Sequence, residues 1–161
     1  MEPRIRWLAI GIAVALLCVS AASTSPAASS RCHPGRLPDR SCSPGKVATT
    51  DTSRVCKPGY SERVRNVSER TKESVYASYG IRTHTAGQYE IDHIVPLELG
   101  GSNSVKNLFP EAARPRPGFH EKDRLENTLH RLVCAGDMKI RTAQSAIETN
   151  WVKAYKRYVL R

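Results

Sequence analysis

Asp92 and His93 stand side by side in YEIDHIVPLELGG, residues 89 to 101. An imidazole with an ordinary pKa near 6.5 accepts a proton at neutral pH, and a carboxylate is a hard oxygen donor for a divalent cation. Hydrolysis of a phosphodiester needs both kinds of group: a base that makes water nucleophilic, and positive charge against the phosphate and leaving oxygen. Asn107 lies fourteen residues beyond His93 and offers an amide that can hold the imidazole in one tautomer. A further metal ligand has to come from beyond it, and His120, His130 and Glu126 are the candidates. Arg114, Arg116, Lys122 and Arg124 surround these positions and could hold a nucleic-acid backbone.

Such groups work only if secondary structure aims them. Tyr89 to Val95 reads as a strand stopped by Pro96. Its alternation puts Glu90, Asp92 and Ile94 on one face and Ile91, His93 and Val95 on the other, so a helix can meet Asp92 while a ligand meets His93. Gly100 to Lys106 is a loop, and Asn107-Leu108-Phe109 a second extended segment expected to end at Pro110. Residues 111 to 118 form a connection interrupted by prolines.

The helix that follows shows the clearest periodicity. Leu125, Leu129, Leu132 and Val133 form its buried stripe and Gly136 closes it. Asp123, Glu126 and His130 lie within about 60° of one another on the flank of that stripe. A three-turn helix is expected from Ser68, which can cap it, to Tyr79 before Gly80. A last helix, Thr142 to Val159, buries Ala143, Ile147, Trp151, Ala154, Tyr155 and Tyr158, and leaves Lys153, Lys156 and Arg157 in solvent.

The chain of 161 residues is long enough for one domain with a modest core. Residues 1–29 read as a secretory signal: Arg4 and Arg6 precede an apolar run, Trp7 to Ala22, and small residues follow. This predicts export to the extracellular space or the cell envelope, with no membrane association after cleavage. Removing that segment takes Arg4, Arg6 and Glu2 with it and leaves a net charge of +9 from +10, which favours polyanionic partners. Residues 30–60 are irregular and rich in Cys, Pro and Gly, and residues 61–161 carry the periodic elements. After export, Cys32, Cys42, Cys56 and Cys134 point to two disulfides, with three pairings open. One of them closes a small Cys32–Cys42 loop and leaves Cys56 for Cys134. No C-x-x-C pair suggests structural zinc.

The series DHIVPLELGG, Asn107-Leu108 and a His-bearing helix resembles the HNH endonucleases, the ββα-metal or His-Me finger nucleases. From VCKPGYSERVRNVSERTK through GFHEKDRLENTLHRLVCAG to NWVKAYKRYV, the chain is similar to small secreted bacterial proteins of HNH type. The resemblance covers about residues 55 to 160. It implies an α+β fold with a ββα-metal core over residues 61–161, flanked by additional helices and stapled by the disulfides. It also implies His93 as general base, Asn107 as the residue that orients it, and Asp92 as metal ligand. His120, thirteen residues past Asn107, suits the spacing of the closing ligand, with His130 and Glu126 as alternatives.

The activity so implied is metal-dependent hydrolysis of nucleic acid, most readily DNA and also RNA, with little sequence preference. One divalent ion (Mg, Mn, Ni or Zn) would serve a monomer, and the partner left open is an immunity or inhibitor protein. The competing expectation is a catalytically silent basic module that binds extracellular nucleic acid or cell-wall polymer. A third is a structural, disulfide-stapled protein in which the Asp-His pair is incidental.

Overall fold

In the computed structural model, which describes residues 32–161, two short strands are followed by two long helices. The expected signal, residues 1–29, lies outside the described residues. β1, Tyr89–His93, pairs antiparallel with β2, Leu108–Ala112, in the register Asp92 opposite Phe109 and Glu90 opposite Glu111. The ladder continues past the strand ends through Ile94 N–H to Asn107 O, 2.8 Å, and Ala113 N–H to Gln88 O, 3.0 Å.

Those bonds explain why β2 runs through Pro110, where the sequence predicted that it would stop. Ile94/Asn107 and Gln88/Ala113 are hydrogen-bonded pairs, and such pairs alternate along an antiparallel ladder. Ile91 opposite Pro110 therefore falls at a non-bonded position, where a missing N–H costs the sheet nothing.

Before the sheet come α1, Thr52–Val55, α2, Tyr60–Val64, and α3, Glu69–Ser78. Ser68 caps α3 as expected, its hydroxyl accepting from Thr71 N–H at 3.2 Å. The two shorter helices fall where the sequence shows no period, because one turn is too short to display one. α4, Phe119–Cys134, opens with the Glu121 carboxylate accepting from Gly118 N–H at 2.8 Å. It ends as expected at Gly136, whose φ of +82° suits a residue without a Cβ. α5, Ile140–Tyr158, contains non-helical backbone at Asn150.

Leu125, Leu129 and Val133 of α4 meet Ala143, Ile147, Trp151 and Tyr155 of α5 in the larger core, joined by Val95 and Leu99. Each large apolar side chain buried there contributes about 1.5–3 kcal/mol. A second core lies between α3 and the sheet, with Val75, Tyr79, Ile94, Leu108 and Phe109. Cys32–Cys42 and Cys56–Cys134 are the disulfides. The second ties the end of α1 to the end of α4 across 78 residues, and such bonds persist in oxidising compartments. The molecule is thus a mixed α+β protein with a two-stranded sheet, and no described helix is long and apolar enough to cross a membrane.

Candidate functional site

Alternation along β1 sends Asp92 and His93 apart, as the sequence predicts, and gives them different surroundings. His93 is 2 % exposed. Its Nε2 lies 3.2 Å from Asn103 Oδ1. The Asn103 amide is oriented by two further bonds: its Nδ2 donates to Val64 O at 2.7 Å, and its Oδ1 accepts from Asn66 N–H at 3.3 Å. An oxygen therefore faces the ring, Nε2 carries the proton, and Nδ1 is the free acceptor of the neutral imidazole. Burial pushes the His93 pKa below its ordinary value, opposed by Asp92 and Asn103 and reinforced by Arg65 and Lys122. The ring is accordingly neutral at pH 7.

His93 reaches a cleft of about 590 Å³ between α3 and the start of β1. Arg65 and Lys72 supply positive charge there beside Glu69, Glu73 and Glu90, and Lys72 is held by Glu69 at 2.7 Å. Tyr76, His84 and Tyr89 supply ring faces, with Tyr76 and His84 4.6 Å apart at 35°. Glu90, on the cleft wall, is pushed up to about 7, first by burial and then by Asp92. None of these cleft residues stood out in the sequence, because α3 and β1 show apolar period and not what they enclose. The weak signal was Lys72 and Tyr76, one turn apart on α3.

On the other face, Asp92 meets α4. Lys122, with no side-chain exposure, donates to Asp92 Oδ2, to Glu126 Oε1 and, at 2.8 Å, to His93 O. Those three acceptors use all three ammonium protons. Glu111 stands 3.7 Å from Nζ, and both of its oxygens are buried without a hydrogen-bond partner. Burial drives Glu111 well above the usual carboxylate range and Glu126 up to about 8, each against the pull of Lys122. The Lys122 ammonium holds Asp92 below its ordinary value despite burial. Lys122 and Asp92 thus form the ion pair of the cluster, and burial favours the protonated form of Glu111 and Glu126 beside it.

Several expected roles change with these positions. Asn107 does not orient His93: its Oδ1 accepts from Val95 N–H at 3.0 Å and from Lys46 N–H at 3.1 Å, and its Nδ2 donates to Val95 O and Ser102 O. It ties the loop to the strand end, and Asn103 takes the place expected of it beside the ring. His120 is exposed and packs on Phe119, 4.3 Å between ring centroids. His130 lies at the far end of α4, with Nε2 3.1 Å from Val55 O and 3.4 Å from Cys134 Sγ. Of the expected helix ligands only Glu126 reaches the cluster.

Lys122 is buried and so cannot contact substrate. Arg124 turns to α5, donating to Tyr155 Oη at 3.1 Å. Arg114 and Arg116 are exposed before α4, and Arg116 lies 3.7 Å from Glu121.

A divalent ion needs several oxygen donors at about 2.0–2.6 Å from one point. The point that Asp92 and Glu126 share is filled by the Lys122 ammonium, so the residues as arranged do not fit the expected ion. Among the described residues, the one group of three ligand-type side chains with donor atoms within 4.8 Å of one another is Cys56, His130 and Cys134. Its sulfurs are bonded to each other and provide no thiolate.

No protein-family model, curated protein or solved structure matches this chain.

Proposed function

We propose that this protein is an exported nuclease of HNH type that hydrolyses phosphodiester bonds, DNA first and RNA second, with His93 as general base. The observation that carries the reading is a neutral imidazole, fixed in one tautomer by Asn103, at a cleft that also holds Arg65 and Lys72. Water gives a proton to Nδ1 and attacks phosphorus; the bond from phosphorus to the 3′ oxygen breaks, and that oxygen takes a proton from solvent. Arg65 and Lys72 offset charge on the phosphate, while Tyr76, His84 and Tyr89 offer surfaces on which bases stack without regard to sequence.

The experiment is cleavage of plasmid DNA, single-stranded DNA and RNA by the disulfide-intact protein, in chelator and with Mg²⁺, Mn²⁺, Ni²⁺ or Zn²⁺ in turn. His93→Ala is run beside it at equal concentration. Nicking that the variant loses supports the reading; equal activity, or equal inertness under every condition, defeats it.

The silent binding module is the second reading, favoured by the Lys122 ammonium where a metal was expected. It predicts DNA binding with a steep salt dependence that His93→Ala leaves unchanged.

A further inference from the structure

The ammonium of Lys122 is placed by the fold and not by chance approach of a surface chain. α4 starts at Phe119, and Phe119, Lys122, Leu125, Leu129 and Val133 are its buried residues. Lys122 therefore occupies the buried stripe itself, one turn before Leu125 and Glu126. From there it reaches Asp92 on β1 and stands beside Glu111 on β2, so one side chain bonds β1 directly and approaches the paired strand. Three carboxyls face the buried ammonium: Asp92 and Glu126 accept hydrogen bonds from it, and Glu111 stands 3.7 Å away. Glu90, Glu98 and Asp123 add to the negative field around the cluster.

Acidic side chains converging on one point are the usual setting for a hard cation. Glu111 stands 3.7 Å from Nζ with both oxygens buried and outside hydrogen-bond reach of the ammonium, so the cluster holds one more carboxyl than the ammonium bonds. Yet a divalent ion could join Asp92 and Glu126 only by expelling a charged lysine whose side chain has no exposed path out.

We propose that Lys122 is the built-in cation of the Asp92, Glu111 and Glu126 cluster: the cluster takes no divalent ion while the lysine is present and becomes a divalent-cation site when it is removed. The inference does not depend on whether His93 hydrolyses anything. The two are separable because binding and melting are read here, and cleavage there.

The test is made on the disulfide-intact full chain with Mn²⁺ followed by electron paramagnetic resonance, and with thermal melting in chelator, Mg²⁺ and Mn²⁺. Wild type is expected to bind no ion that depends on Glu126 and to melt alike in chelator and in millimolar Mg²⁺ or Mn²⁺. Lys122→Met is expected to melt lower, to bind one Mn²⁺, and to regain part of the lost melting temperature with it. Adding Glu126→Gln to that variant should abolish the recovery. If Lys122→Met folds only when the ion is present, that is the same result in stronger form.

Wild-type binding of an ion that Glu126→Gln abolishes overturns the proposal. So does a Lys122→Met variant, folded or unfolded, on which the ions have no effect. An ion bound by wild type but indifferent to Glu126→Gln lies elsewhere, and the Lys122→Met result then decides.

Discussion

On one face of β1, Asp92 meets a lysine that has already spent its three protons, and two further carboxyls close around the pair. One residue later, on the opposite face, His93 keeps a free ring nitrogen and borders a cleft that carries Arg65 and Lys72. Both side chains are pinned by partners, but the Asp92 face is internally neutralised and the His93 face is left with something to give. Adjacent ionisable residues on a strand can therefore divide their labour, one holding the helix to the sheet and the other keeping a nitrogen free to accept a proton. The division predicts that changes on the two faces fail differently.

The largest effect is expected at His93. His93→Ala should lower cleavage by about 10²–10⁴-fold, the range for loss of a general base. Its stability should fall by only about 1–2 kcal/mol, since the Asn103 oxygen keeps Asn66 N–H as a partner. Cleavage assays beside urea unfolding check this, and loss of the fold in proportion to loss of activity would erase the contrast between the faces. Lys122→Met is expected to do the reverse. It strands a buried Asp92, so unfolding should cost about 3–5 kcal/mol less. Whatever fraction remains folded should retain the proton-transfer groups of His93 and Asn103.

Asn103 gives the next effect and tests the tautomer. The acid limb of wild-type cleavage should lie under the ordinary imidazole value of about 6.5, because the active ring is neutral and burial keeps its folded pKa below the unfolded one. The linkage has the same sign: between the unfolded and the lower folded pKa the unfolded state binds more protons, so stability also declines as pH falls through that window. Asn103→Asp puts a carboxylate against Nε2, favours the imidazolium and should move the acid limb upward by about one pH unit, roughly 1.4 kcal/mol. Asn103→Leu, which removes the acceptor, should move it the other way. A residue that merely packed there would lower the rate without shifting the profile.

How much of this was legible depended on what each position reports. The strand alternation of Asp92 and His93 was readable because period two needs only five residues. Of the expected stripe Leu125, Leu129 and Val133 are buried and Leu132 only half-buried, and these and the end at Gly136 were readable because α4 has four turns in which to show them. One of the three possible cysteine pairings is the one formed.

Lys122 was misread as a surface cation since a basic residue beside Arg124 is normally solvated. Its position three residues before Leu125, continuing the stripe, was the available signal, and Glu126 four residues later was the second. The two asparagines were exchanged because sequence spacing does not show which amide a loop turns inward. Asn107 ends buried against Val95, while Asn103 swings from the Gly-Gly loop to the ring. The nuclease core implied by the resemblance adds no more to the fold than the α+β layout itself shows.

The smallest effects belong to the cleft cations, and they sharpen the contrast from the open side. Each phosphate contact releases counterions, so removing one should lower the slope of log affinity against log salt by about 0.7–0.9 and weaken DNA binding uniformly across sequences. Arg65 and Lys72 should not count equally. Lys72 is tied to Glu69 at 2.7 Å, so part of its charge is cancelled before substrate arrives. Among the described residues Arg65 makes no such pair. Arg65→Ala should therefore change the salt slope by nearly the full amount and Lys72→Ala by less, with Glu69→Gln raising affinity by releasing Lys72. Arg124→Ala, whose guanidinium lies over Tyr155 on the far side of α4, should leave the slope unchanged. If Arg124→Ala and Arg65→Ala instead lowered it alike, nucleic acid would be held by the net charge of the whole surface, and the His93 face would lose its claim to be the side that meets substrate.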